Sequence, residues 1–190
     1  MKNIKVDLSV DAKGLSCPMP IVRVKKAMAQ IESGQVVELQ ATDKGSMADI
    51  KAWADSTGHH YLGSLQEEGV FKHYIRKSSS DEVIEKKHPV TATNEELMKK
   101  LADKEDIQVV DVREEAEYAF AHIPGAVSLP IGELEDKLDN LSKDKELYVI
   151  CRTGHRSDLA AQKLTAKGFD KVVNVVPGMT DWTGDLEGIN

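Results

Sequence analysis

Cysteine is scarce in this chain: Cys17 and Cys151 are the only two among 190 residues. Two thiols so far apart do not make a disulfide framework, and a chain of this length buries enough core to fold without one. Both read as reduced thiols. Aromatic residues make up only 5% of the chain, and no basic patch is interleaved with them, which argues against a direct nucleic-acid partner. Long apolar runs are missing as well. Nowhere do 18 apolar residues follow one another, so no membrane span is expected. The opening MKNIKVDLSVD has no apolar h-region, and the expected address is cytoplasmic. His59, His60, His73, His88 and His155 form no Cys-x2-Cys or His-Glu-x-x-His spacing, so neither a metal nor another cofactor is expected.

What the chain does have is the composition of an ordinary globular α/β protein, with a formal net charge of -7 that is unevenly spread. Residues 1–77 carry 11 Lys and Arg against 9 Asp and Glu, whereas residues 78–190 carry 14 against 23. The two parts differ in sign, which favours mutual attraction or different partners, or reflects only an acidic surface. Between them the polar stretch Arg76–His88, RKSSSDEVIEKKH, reads as a linker. The expected division is a domain at 1–76, a linker at 77–88 and a domain at 89–190. A dozen extended residues reach roughly 40 Å.

In the first part Ile4, Val6 and Leu8 alternate with polar residues as a strand does. Pro20–Ile31 places Ile21, Val24, Met28 and Ile31 on one helical face. Val36–Ala41 predicts a strand, and Ser46 with Asp49 a capped helix burying Met47, Ile50, Trp53 and Ala54. His60–Gln66 and Val70–Arg76 then flank Glu67-Glu68-Gly69 as a hairpin. The order βαβαββ gives a two-layer sandwich. In the second part Thr93 and Glu96 predict a capping box, Ile107–Val112 and Leu147–Ile150 buried parallel strands, and Val172–Val175 a further one. Helices are expected at Glu114–Phe120, Gly132–Leu141 and Ser157–Lys167, completing an α/β/α domain with a parallel sheet. Trp53 and Trp182 read as core residues on helical apolar faces.

Cys17 stands in Asp11-Ala-Lys-Gly14-Leu-Ser-Cys17-Pro18-Met-Pro20, just before an amphipathic helix. Prolines suit a first helical turn, where N–H groups have no intrahelical acceptor. The helix macrodipole there favours an anion, and the expectation is a surface thiol of lowered pKa. Cys151 directly follows an apolar strand and opens Cys151-Arg152-Thr153-Gly154-His155-Arg156 before another helix. A tight strand-to-helix loop turns successive N–H groups inward and makes an anion cradle. Arg152 and Arg156 add charge, and His155 lies where it can tune substrate choice. Such a cradle is expected to depress the thiol pKa, stabilise a persulfide and hold an anionic donor such as thiosulfate.

The Gly14-x-x-Cys17-Pro18-x-Pro20 pattern with Asp11, together with the βαβαββ order, resembles the TusA (SirA-like) sulfur-carrier family. That resemblance implies that Cys17 carries a persulfide without metal or cofactor, with Asp43 and Lys44 as its polar neighbours. From about residue 88 onward the chain resembles a single-domain rhodanese. The resemblance rests on Val110-Asp111-Val112-Arg113-Glu114, His122-Ile-Pro-Gly-Ala126, the Cys151 loop, and Pro177-Gly178-Met179 before Trp182. Ala121 and Ser128 stand where that family more often has Gly and Asn. Four residues separate Cys151 from Arg156, as in rhodaneses, whereas the related phosphatases have five, so phosphatase and arsenate-reductase chemistry are disfavoured. Asp111, Arg113 and His122 are expected to hold the fold rather than react.

Together these features predict a sulfurtransferase and sulfur carrier. Cys151 and Cys17 are the reacting thiols, with a relay between them that could run in either direction, and Arg152, Thr153, Gly154, His155 and Arg156 bind the substrate. The expected partners are a thiosulfate or persulfide donor and a cysteine desulfurase or other sulfur-relay protein. The alternative is a non-catalytic module that docks to a desulfurase, reductase or repressor.

Overall fold

A computed structural model of the chain describes residues 4–79 and 85–189. The chain divides into two compact units, Met1–Ser80 and Asp81–Asn190. In the first, the order is β1 (Leu8–Ala12), α1 (Met19–Gln30), β2 (Val36–Ala41), α2 (Ser46–Thr57), β3 (His60–Glu67) and β4 (Val70–Arg76). The sheet runs β1-β2-β4-β3, with β1 parallel to β2 and the other neighbours antiparallel. Both helices lie against it and bury Val24, Met28, Ile50 and Ala54 over Val37, Leu39 and Ile75. An amphipathic stripe predicts such packing, because a sheet and a helix each bury one apolar face.

Three expectations change here. The first strand begins at Leu8 rather than Ile4, since its partner β2 begins only at Val36 and pairing opens at Leu8 with Val37. Before that point Asp7 closes the sheet end instead, donating from its N–H to the Val36 carbonyl and accepting from the Val36 N–H. Met47 points outward, 46% exposed, one residue into α2, so it sits off the buried stripe. The linker reading also shortens, since Arg76 ends β4 and Lys77 exchanges backbone bonds with Gly34 and Gln35. Residues 80–84, the middle of that stretch, lie outside the described residues.

The second unit follows the order β5 (Thr91–Ala92), α3 (Asn94–Ala102), β6 (Ile107–Asp111), α4 (Glu115–Phe120), β7 (Ala121–His122), β8 (Val127–Ser128), β9 (Glu146–Ile150), α5 (His155–Ala166), β10 (Val172–Val175) and β11 (Glu187–Gly188). Five strands form a wholly parallel sheet in the order β5-β10-β9-β6-β8, while β7 and β11 pair apart from it. Apolar side chains cover both faces, with Leu134, Leu147, Val149 and Leu164 in one cluster and Leu97, Tyr148, Ile150 and Val175 in the other. Burial on both sides explains why β6 and β9 read as continuous apolar runs. Thr93 and Glu96 do form the capping box at α3.

Gly132–Leu141 is not an α-helix. Two 3-10 turns, Ile131–Asp136 and Leu138–Asn140, stand there, separated by Lys137 at φ -122. The leucine spacing mimics a helix, but packing satisfies it without one: Leu134 and Leu141 are buried, with Leu138 against the same cluster. Trp182 packs against the core just after a short 3-10 turn, not on a helix.

At the other end of the supposed linker, the Lys87 and His88 N–H groups each donate to the Asp158 carboxylate at 2.9 Å, and the buried His88 ring meets the Val172 carbonyl at 2.8 Å. Residues 87 and 88 thus belong to the second fold. Among the described residues no helix is long and apolar enough to cross a membrane.

Candidate functional site

Cys151 emerges from the carboxyl end of β9, the central strand of the parallel sheet, where open α/β sheets bind ligands. Its side chain is 1% exposed, at the floor of the loop that leads into α5. The Gly154 N–H donates to Sγ at 3.2 Å, and the Ser157 hydroxyl lies 3.3 Å from the same sulfur. Ser157 is also 2.6 Å from the Asn174 amide oxygen. That amide is oriented because its nitrogen donates to the Gly154 carbonyl at 3.1 Å. One hydroxyl proton therefore serves two acceptors, resting on Asn174 and able to swing onto sulfur when the sulfur is anionic.

Three of the loop's carbonyls are tied by hydrogen bonds to groups other than the sulfur. The Cys151 carbonyl accepts from the Met179 N–H at 2.9 Å, and that of Arg152 from the Thr180 N–H at 3.0 Å. The Gly154 carbonyl accepts from Asn174 and from the Asp158 N–H. With these carbonyls fastened elsewhere, the Gly154 N–H faces the sulfur, as an anion site needs. Gly178 makes this buttress possible. Its φ is 95, and a Cβ there would stand 2.5 Å from the Cys151 carbonyl oxygen. Asn94 fixes its peptide from both sides, at 2.9 and 3.3 Å.

The six residues of the loop come together as the sequence implies, but with different duties. Thr153 and His155 are half-buried and touch each other, Oγ1 to Nδ1 at 3.2 Å. Arg152 is half-buried too. Arg156 departs from expectation: it is 5% exposed, and its guanidinium grips Glu117 in α4 through Nη1 to Oε2 at 2.7 Å and Nη2 to Oε1 at 2.9 Å. Its charge is already matched by a buried carboxylate, so it holds the loop to α4 rather than serving as an unmatched anion ligand. Asp111 and Arg113 form a second buried fork, Nη2 to Oδ2 at 2.7 Å, and Arg113 also donates to the Ala121 carbonyl. Both pairs are structural, as expected for Asp111 and Arg113. Glu117, Ser157 and Asn174 escape sequence reasoning, since a single Glu in a charged helix and a Ser six residues beyond the cysteine carry no local signature.

Cys17 belongs to the first unit and is exposed, immediately ahead of α1. Asp43, Ser46 and Asp49 line the small space beside it, and Lys44 does not. The expected lowering of its pKa is reversed. The Asp49 carboxylate accepts the thiol's hydrogen bond and pushes the pKa up, with Asp43 adding like charge. A nearby carboxylate at hydrogen-bond distance outweighs the diffuse positive end of one helix. Asp49 is thus the thiol's partner, not the second half of a capping pair.

Behind this acidic edge Ser46 donates to the Asp43 carbonyl at 2.6 Å and lies 3.0 Å from the His73 Nε2, while the Tyr61 hydroxyl lies 3.0 Å from Nδ1. Since the Ser46 proton is committed to Asp43, His73 donates from Nε2 and accepts at Nδ1. Burial lowers the His73 pKa to about 4 and keeps the ring neutral. Among the described residues, no three metal-ligating side chains group together.

Comparison with known proteins matches residues 8–77 to the family described as Sulfurtransferase TusA and residues 93–185 to that described as Rhodanese-like domain. The chain is 46% identical over 184 residues to a Bacillus subtilis (strain 168) protein named "Putative sulfur carrier protein YrkF", covering 97% of this chain and 100% of that one. It is 46% identical over 72 residues to "Sulfur carrier protein TusA" of Allochromatium vinosum, covering 38% of this chain and 95% of the other. A solved Rhodanese-like Domain Protein from Staphylococcus aureus is 37% identical, covering 53% of this chain and 99% of its own, with a TM-score of 0.49.

Proposed function

Because the chain belongs to the family in which a TusA-like domain is fused to a rhodanese domain, a sulfur carrier and sulfurtransferase by type, we propose that it loads sulfane sulfur from thiosulfate onto Cys151 and relays it to Cys17. The observation that carries this reading is the Cys151 sulfur seated under the Gly154 N–H and the Ser157 hydroxyl. The Gly154 N–H, already aimed at the sulfur, stabilises negative charge there without rearranging, and the Ser157 proton has only to turn onto it from Asn174.

In the first step the Cys151 thiolate attacks the outer sulfur of thiosulfate. The new S–S bond forms as the old one breaks, and sulfite leaves with its electron pair. The cradle holds both the anionic donor and the persulfide. In the second step Cys17 attacks the outer sulfur of the protonated persulfide and Cys151 departs as a thiolate. Asp49 receives the Cys17 thiol proton as the new bond forms, and returns it when Cys17 later becomes the leaving group. The raised pKa of Cys17 suits this use: the thiol is held ready with a base in contact, and basic thiolates are the better nucleophiles.

Intact-mass and peptide mass spectrometry after thiosulfate treatment tests both steps. The expected product is one added sulfur atom on Cys151, then on Cys17. Absence of the adduct on Cys151 overturns the first step. Loading of Cys17 in a Cys151→Ser variant overturns the relay.

A docking role for the carrier thiol has one observation in its favour. Met19 and Met47, at the starts of the two helices beside Cys17, are 45% and 46% exposed. Flexible, exposed methionines are common where a surface adapts to a partner protein.

A further inference from the structure

Commitment of Arg156 to Glu117 leaves the Cys151 loop with less unmatched positive charge than its sequence promises, and a lysine from outside the loop stands against it. Lys86 is the last residue before the pair of N–H groups clamped by Asp158, and Asp158 sits in the first turn of α5, the helix that the Cys151 loop opens. That clamp fixes the backbone on which Lys86 is carried. Its side chain crosses to Gly154, where Nζ lies 3.3 Å and Cε 3.4 Å from the position a Cβ on that glycine would take. Gly154 has φ 85 and no side chain, so the loop's backbone is open to the ammonium. The same Gly154 donates its N–H to the Cys151 sulfur at 3.2 Å. Adding ordinary bond lengths puts the ammonium less than about 10 Å from the sulfur, roughly one Debye length at physiological salt.

We infer that Lys86 is a specificity residue of the Cys151 site: a cation delivered by the segment that joins the two units, which selects strongly anionic sulfur donors over weakly charged ones. The inference rests on the sulfurtransferase reading of Cys151 but concerns charge selection, which can be measured apart from turnover. Lys86 acts through the field it adds at the mouth of the loop. It takes no part in bond making, and the attack on thiosulfate with departure of sulfite is unchanged. A dianion gains about twice what a monoanion gains from one fixed charge at a given distance.

The test compares two donors that differ in charge but share the sulfur-sulfur bond to be broken: thiosulfate, a dianion, and methanethiosulfonate, a monoanion that releases methanesulfinate. In the full chain, Lys86→Gln is expected to raise KM for thiosulfate about three- to fivefold with kcat within about twofold, and KM for methanethiosulfonate about twofold or less. Lys86→Arg is expected to restore the wild-type ratio. An equal change for both donors, or none, overturns the inference.

A second readout needs no sulfur transfer. In a Cys17→Ser background, the alkylation rates of Cys151 by anionic iodoacetate and neutral iodoacetamide give a ratio that Lys86→Gln is expected to lower about twofold or more. A ratio unmoved by the substitution overturns the role of Lys86 even if thiosulfate is turned over. A ratio that falls in a protein inert to both donors supports the charge selection and overturns the donor assignment instead.

Discussion

Glu117→Gln is the sharpest probe of the site's architecture. The substitution removes one charge from a pair whose side chains are 4% and 3% exposed and whose two hydrogen bonds are 2.7 and 2.9 Å long. Leaving a buried guanidinium without its counter-ion costs about 3–5 kcal/mol, most of it desolvation no longer offset. The loss should fall on the second unit, where it corresponds to a drop in Tm of roughly 10–30 °C. The two tryptophans make the assay selective, since Trp53 lies in the first unit and Trp182 packs on the core of the second. In a Trp53→Phe background, urea or thermal unfolding followed by fluorescence reports the second unit alone. Replacing both partners, as Glu117→Leu with Arg156→Met, should recover most of that stability, because matched apolar groups leave nothing unpaired. The folded double variant then separates support from substrate binding. If Arg156 only anchors the loop, KM for thiosulfate changes by less than about threefold, or about 0.7 kcal/mol. A loss below about 1 kcal/mol for Glu117→Gln, or a rise of about tenfold or more in KM for a stable double variant, would refute the reasoning.

Further expectations concern both units. Asp49→Asn removes the carboxylate that holds the Cys17 proton, so alkylation of Cys17 at pH 7 should quicken roughly threefold or more and its pH profile should move to lower pH; an unchanged profile would show that Asp49 does not govern the thiol. His73 titrates near 4 when folded and near 6.5 when unfolded, so the unfolded chain binds the extra proton as pH falls. The stability it contributes is therefore whole above about pH 6.5 and declines toward pH 4, by roughly 1–2 kcal/mol after allowing for partial solvation. Urea titrations of the first unit at pH 7.5 and 5 should show that slope in wild type and a flatter one in His73→Gln. Gly178→Ala forces a Cβ against the Cys151 carbonyl from a residue with φ 95, and should cost roughly 2–4 kcal/mol while lowering turnover. Wild-type Tm and activity in that variant would mean the buttress is dispensable.

Both folds were legible because their elements carry long-range signatures written locally. The Val24, Met28 and Ile31 stripe, the apolar runs of β6 and β9, and the Thr93–Glu96 box are patterns that physics allows in few ways. The cysteines were legible for the same reason, each standing at a junction that leads into a helix. Charge pairing was not legible. Nothing near Arg156 in the chain announces Glu117, 39 residues earlier, and nothing near Cys17 announces Asp49, because such partners are chosen by the packing of separate elements. The leucines of 134–141 misled for the opposite reason: spacing alone does not distinguish a helix from two 3-10 turns that deliver the same side chains to one cluster.

The anchoring of Lys77 to the first sheet and of Lys87 to Asp158 changes what the connection between the units is worth. Ten residue steps separate those two points, a contour of about 35 Å at most. In the proposed relay, a connection of at most that length would hold one thiol near the other at a local concentration on the order of millimolar. Encounters between the two cysteines in that relay would then be independent of how much of the protein a cell makes. Lengthening the tether with glycine and serine would dilute them by a polymer law, falling slowly, roughly as the inverse three-halves power of its length. The connection is in that sense a concentration setting, and its residues can be counted.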